Sequence, residues 1–358
     1  LIFAAALNLL LGFETFGIPL VLGDPSGIVV LTTYIYKVNG IFGTPTYHVM
    51  AVVAVCLILI TLPLVYVQRL LLRNSRRYAA VGGKGARATP LRLGPAGQVI
   101  AWAVIALWLF ISVVLPIGGI IVRAFVDAWG EGVRLRDHLT PAHFTHLLDT
   151  PSLYRGIVNT LVLSVVGGAA AVAVYLGIGL AGHRNKGASG AVLDYMVLLP
   201  RALPGIIIGL AFFWVFLFVP FLTPFRPTLV SLFVAYTVVG LSYGLRIIQA
   251  TLLQVAPELE ESSRTTGATR GQTWRDTVIP IIRPGLVGAW SLIMIVFLRE
   301  YATGVYLMGV GTEVVGTLMV SLLTSGSMDQ IAALAFLSIV FTALGLGFAL
   351  RLGARIHD

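Results

Sequence analysis

Apolar runs of roughly twenty residues alternate with short polar breaks over nearly the whole chain, and each run is long enough to cross a ~30 Å hydrocarbon layer as a helix. The pattern predicts complete spans near 47–70, 98–122, 157–182, 191–220, 228–250, 285–307 and 330–351, with Leu1 to about Phe13 as the end of another. Lipid offers the backbone no hydrogen-bond partners, so runs of this length read as helices. A transmembrane barrel would need short alternating segments instead. The predicted fold class is therefore all-α and polytopic. The chain starts inside an apolar run too short to span, without a basic leader or a small-residue cleavage site, which reads as a cut within a transmembrane helix rather than a signal peptide.

Composition agrees with this pattern. Hydrophobic residues make up 58% of the chain and charged residues 11%, against about a quarter charged in soluble domains. The net charge of +9 is unevenly placed. Arg69, Arg73, Arg76, Arg77, Lys84, Arg87 and Arg92 follow one another with no acid between them, in a glycine-containing stretch that reads as a flexible linker over 73–97. Basic residues at helix ends mark the cytoplasmic face. Alternation of spans then also puts 183–186, the polar island at 251–284 and the C-terminal tail inside, and the loop from about 124 to 156 outside. Topology accounts for the basic linker, so no nucleic-acid partner is expected. Cys56 is the one cysteine, and no intrachain disulfide is available to it.

The chain carries a weak internal repeat. At an offset of 286, LGFETFGIPLVLGDPSGIVV (11–30) lies over FLREYATGVYLMGVGTEVVG (297–316), placing Glu14 on Glu300, Gly23 on Gly309 and Val29 on Val315. Each copy ends an apolar helix in a glutamate, passes a glycine-bearing turn and leads to a final span. The predicted organisation is the end of a first half at 1–72, the linker at 73–97, and a complete six-helix second half at 98–358.

The island ESSRTTGATRGQTWRDTVIP (261–280) has the form of an elbow. Pro257 suits a first helical position and Glu258, Glu260 and Glu261 suit the positive end of a helix dipole. That helix should run to about Thr266, with Gly267 supplying the turn. Thr269 can cap a second short helix carrying Arg270, Trp274 and Arg275, closed by Ile279 and Pro280. Its four acids and four bases (Arg264, Arg270, Arg275, Arg283) balance, which suits docking to another protein better than to anionic lipid.

The spacing through Glu261, Ser262, Ser263, Gly267, Ile279 and Pro280 resembles the cytoplasmic EAA loop, here 257–284, of permease subunits of binding-protein-dependent ABC importers. Two serines stand where that family usually has alanines, and Thr277 stands where isoleucine is usual. LLPRALPGIIIGLA (198–211) is similar to the proline-broken third helix of such permeases, and ETFGIPLVLGDPSGIVVLTTYIY (14–36) to the segment after the first EAA loop of fused permeases of the iron(III) type. The resemblance implies a type I importer permease in a prokaryotic plasma (inner) membrane. Its partners would be cytoplasmic ABC ATPase subunits, a periplasmic or lipid-anchored solute-binding protein and the bilayer. It implies no cofactor and no enzymatic activity of the chain itself, and GxxxxGK[ST] does not occur in the sequence. Glu261, Ser262, Ser263, Arg264, Gly267, Arg270, Ile279 and Pro280 would couple to the ATPase. The implied solute is iron(III), with thiamine, polyamine or another small solute as alternatives.

Ionisable residues in spans are costly and often functional. Arg299 and Glu300, with Glu14, Arg201 and Pro204, are candidates for a pathway or gate, or else a structural pair at the interface. An ion-coupled secondary transporter, the alternative from another class, would want carboxylates at the midplane. Glu14 and Glu300 lie too near helix ends for that. His143 and His146 share a helix face, but no carboxylate cluster joins them and no metal site is expected.

Overall fold

The computed structural model describes residues 12, 15–38, 46–75, 93–183, 200 and 203–351. Glu14, Arg201, nearly all of the first predicted run and most of the basic linker lie outside the described residues. So do 191–199, the first part of the expected span at 191–220. In chain order the helices are α1 (Leu31–Val38), α2 (Tyr47–Ser75), α3 (Pro95–Ala124), α4 (Ala142–Asp149), α5 (Pro151–Gly182) and α6 (Gly205–Phe218). They are followed by α7 (Leu229–Leu252), α8 (Pro257–Thr265), α9 (Arg270–Arg299), α10 (Val315–Thr324) and α11 (Met328–Arg351). Among the described residues six helices, α2, α3, α5, α7, α9 and α11, are long and apolar enough to cross a membrane. There are no β-strands among them beyond one antiparallel bridge, Val126 to Leu139.

Two expectations are corrected. The helix expected over 285–307 starts at Arg270 and stops at Arg299. Ile279 and Pro280 therefore close nothing: they lie inside α9, and the second limb of the elbow is the foot of a transmembrane helix. The reason is a five-residue π turn at Trp274–Val278, two residues ahead of Pro280. A proline cannot donate to the carbonyl four residues back, and its ring presses on it; widening that turn lets the helix continue. The same device sits at Phe110–Val114 in α3, ahead of Pro116. The second correction concerns 300–314, which stays apolar in part but is not helical beyond a 3₁₀ turn at Gly304–Tyr306. It is followed by α10, a helix the hydropathy pattern did not predict.

Lipid tails are as apolar as leucine, so these helices are held by close packing rather than by exclusion of water. The main cluster joins α5, α7 and α9 through Tyr175, Tyr236, Leu245, Ile248, Ile293 and Phe297. A second joins the first segment to the second half: Phe16, Ile35 and Met50 pack with Ile206, Leu210 and Tyr306. In contrast, α3 exposes the whole of its most apolar stretch, as suits a helix surrounded by lipid.

The repeat has a structural counterpart with a shifted register. Gly27 and Gly311 both adopt positive φ, 77° and 95°. In one copy the Val30 amide donates to Thr33 Oγ1 at 3.0 Å while that hydroxyl donates to the Val30 carbonyl at 2.9 Å. In the other, Val314 and Thr317 make the same pair at 3.4 and 2.9 Å. These matches, and the starts of α1 and α10, lie 284 residues apart, not 286. The Gly23–Gly309 and Val29–Val315 pairings are therefore each displaced by two residues. The first copy spends extra residues on a π turn at Pro19–Gly23 and a 3₁₀ turn at Asp24–Ser26.

Candidate functional site

The elbow is built from terminal chemistry rather than from a core. At the end of α8 the Gly267 amide donates to the Arg264 carbonyl at 3.0 Å and the Ala268 amide to the Ser263 carbonyl at 3.2 Å. This pair closes a helix on a left-handed residue, and Gly267 takes that role with φ 94°. Thr269 then caps α9. Its hydroxyl accepts from the Gln272 amide at 3.3 Å, and Gln272 Oε1 accepts from the Thr269 amide at 2.8 Å. The turn is thus fixed from both sides while α8 buries no residue.

The two faces of α8 differ. Glu258, Glu261, Ser262 and Arg264 are exposed, as are Arg270 and Arg275 beyond the turn. Glu260 and Ser263, one turn apart, face the protein. Ser263 Oγ lies 3.1 Å from the hydroxyl of buried Thr273, joining the two limbs of the elbow. The serine in place of alanine thus makes a bond that alanine cannot. His183, just past the end of α5, donates from Nε2 to Glu260 Oε1 at 2.9 Å. Neither partner of that pair was evident from sequence, because they are 77 residues apart. Ile279 is half-buried and Pro280 exposed on the flank of α9.

The other candidate group lies at the far end of α9. Arg299 is its last residue and is exposed. Glu300 breaks into extended backbone, and its Oε1 accepts from the Thr303 amide at 2.9 Å. Tyr236 donates to the Glu300 carbonyl at 3.1 Å. Pro204 is the N-cap of α6, and the Glu300 carboxylate lies 3.5 Å from where a β-carbon on Gly205 would stand. An acid is favourable at a helix N-terminus. The structure therefore brings Glu300 and Pro204 together, with Arg299 turned outward. A β-carbon on Gly209 would overlap the Thr303 carbonyl, so this glycine lets α6 lie directly on the 300–304 backbone.

Farther along the same segment, Arg155 of α5 donates to Glu313 from Nη2 at 3.0 Å and Nε at 3.4 Å. Asn159 Nδ2 donates to the carbonyls of Gly311 and Glu313, at 3.1 and 2.9 Å. Burial alone pushes the Glu313 carboxyl up, but the hydrogen bonds from Arg155 and the Gly311 amide and the guanidinium charge outweigh it and hold the group below its ordinary range. The histidines of the loop from about 124 to 156 are occupied separately. His143 meets the Val126 carbonyl at 3.2 Å, and His146 meets Thr150 and Gln330, each at 3.4 Å.

Six helices long and apolar enough to cross a membrane among the described residues, with no strands, define a polytopic α-helical membrane protein. Residues 173–358 match the family model described as binding-protein-dependent transport system inner membrane component, and the chain belongs to that family. It is similar to the sulfate transport system permease protein CysT of Salmonella typhimurium, with 30% identity over 126 residues covering 33% of this chain and 46% of that protein. It is also similar to the putative ferric transport system permease protein FbpB 1 of Haemophilus influenzae, with 23% identity over 241 residues covering 64% of this chain and 37% of that one. The chain thus spans less than half the length of either relative. Among solved structures, a chain of a bacterial alginate ABC transporter in complex with an alginate pentasaccharide-bound periplasmic protein aligns with a TM-score of 0.52 at 20% identity. That alignment covers 71% of this chain and 92% of the other, and supports the fold.

Proposed function

We propose that this chain is the membrane-spanning part of an ATP-driven, binding-protein-dependent importer, and that its solute is iron(III). The observation that carries the reading is the elbow: an outward-facing helix in a charge-balanced polar island, locked by Gly267 and Thr269, at the foot of a helix that runs on to Arg299. Closure of cytoplasmic ATPase subunits on ATP presses on Glu261, Arg264 and Arg270. Because α9 has 30 residues, a rise of 1.5 Å per residue carries that displacement about 45 Å to the 300–314 segment. There it alters the packing against α6 that closes the path, so solute delivered by an outside binding protein enters. Release of hydrolysis products resets the elbow.

The same reading places the elbow, the 73–97 linker and the C-terminal tail in the cytoplasm. It assigns residues 1–72 to the end of one permease half and 98–358 to a second. The matched caps at Val30–Thr33 and Val314–Thr317 support the duplication. Iron(III) is supported by the likeness of residues 14–36 to fused iron(III)-type permeases and by the similarity to FbpB 1. The test is co-purification of the native complex followed by reconstituted uptake of labelled iron(III), thiamine and a polyamine. A stoichiometric ATPase with ATP-dependent iron(III) uptake is the expected result. ATP-dependent uptake of another solute overturns the cargo alone, and uptake driven by an ion gradient without an ATPase overturns the importer.

A further inference from the structure

The elbow poses a physical problem. A helix that takes force from another protein has to be fastened to the spans it moves, and α8 has no apolar fastening: none of its residues is buried, and Leu259 is 44% exposed. Among the described residues, its protein-facing side makes polar attachments through Ser263 and Glu260. One, Ser263 to Thr273, stays within the elbow and joins α8 to the foot of α9. The other, Glu260 to His183, leaves it and reaches the end of α5. The side chains of that pair are 6% exposed for His183 and 16% for Glu260, so it is sheltered as surface ion pairs are not. Charge-assisted hydrogen bonds of this kind are the strong ones, while exposed pairs contribute little.

The helix it grips is central to the packing. α5 packs against α7 and α9 along its length, with Tyr175 donating to the Thr237 carbonyl at 2.5 Å and Gly168 lying against the Met294 backbone. Its outer end holds the 300–314 segment through Arg155 and Asn159. Displacement of α8 thus has two routes to that segment: along α9 through the turn, and along α5 through His183.

We propose that His183 is a positioning residue for coupling. Its hydrogen bond to Glu260 fastens the elbow helix to α5, so that both helices flanking the 300–314 segment move together when the elbow moves. Glu260 is then the inward anchor of α8, and the neighbouring acids Glu258 and Glu261 face the partner. This inference rests on the proposed importer reading.

The experiment uses the native complex reconstituted in proteoliposomes, with ATP hydrolysis and solute uptake measured on the same preparation. In H183A and in E260A the solute moved per ATP is expected to fall roughly tenfold, the factor a lost charge-assisted hydrogen bond supplies. ATPase co-purification and hydrolysis should persist. The double variant H183A/E260A should be no worse than either single one, and H183Q, whose amide can still donate to Glu260, should recover most of the ratio. An unchanged ratio in H183A, or additive losses in the double variant, overturns the proposal. Loss of all folded complex in H183A with no recovery in H183Q assigns the pair to stability alone and also overturns it. If no ATPase accompanies the wild-type chain, the importer reading itself fails, an outcome distinct from the others.

Discussion

The two ends of α9 are fastened in opposite ways. At the Arg270 end, the elbow is held by caps, a left-handed glycine and polar attachments through Glu260 and Ser263, and none of the residues of its helix is buried. At the Arg299 end, the 300–314 segment is laid against the α6 backbone at Gly209 and bonded to α5 through Arg155 and Asn159. Its Thr303, Leu307, Thr312 and Val314 are all buried. Packing of the second kind is bistable rather than compliant, because close-packed interiors do not deform smoothly. In the proposed importer the elbow end would receive a displacement, and the 300–314 end would resist it until it switches.

Substitutions at the two ends should separate these characters. The largest effect is expected for Gly209→Val, which drives a side chain into the Thr303 carbonyl; overpacking at a site that cannot yield should cost about 3 kcal/mol. A large fall in the thermal midpoint of the detergent-solubilised protein would show it, and a midpoint near wild type would contradict the tight contact. Next, Gly267→Val imposes a left-handed conformation on a branched residue, costing about 1–2 kcal/mol. No neighbouring atom lies within 4 Å of a β-carbon there, so the fold should survive while uptake collapses. Undiminished uptake would remove the elbow from the mechanism.

Thr269→Ala removes the cap at the foot of α9 and should cost about 1 kcal/mol. That loss is readable as faster amide exchange confined to the first turn of α9. The smallest effect is expected for Glu313→Gln, and it depends on pH. The Glu313 carboxyl is held below its ordinary value near 4.5 in the folded chain. Its contribution is therefore fully present above that value and fades as pH falls through the lower, folded one. A thermal-midpoint titration from pH 6 to 3 should show a drop in the wild type that is reduced in Glu313→Gln. Parallel curves would mean that the ion pair does not hold the segment.

Much of this architecture was readable from the chain before any coordinates. The membrane class and most spans follow from run length alone. The elbow was readable from Pro257, Gly267 and Thr269, because caps are local and their signals lie within a few residues. The end of α9 was not. YATGVYLMGV (301–310) is apolar enough to extend a span, and hydropathy does not separate a helix in lipid from irregular chain packed against protein. The continuity of α9 through Pro280 was hidden for a related reason: proline announces a break, and only the π turn before it shows that the helix widens instead. The bonds between His183 and Glu260, and between Arg155 and Glu313, join residues 77 and 158 positions apart. No periodicity points to such pairs. The two-residue slip in the repeat is hidden in the sequence because the matched letters are few, while the matched hydrogen bonds are specific.

One uninterrupted helix from Arg270 to Arg299 also serves as an internal ruler. Spin labels at its two ends should report a separation of about 45 Å that hardly varies between nucleotide states, however far the rest of the protein travels. Any change in that length would locate bending at Pro280 and Pro284, the two prolines inside the helix, and would make the rod a spring.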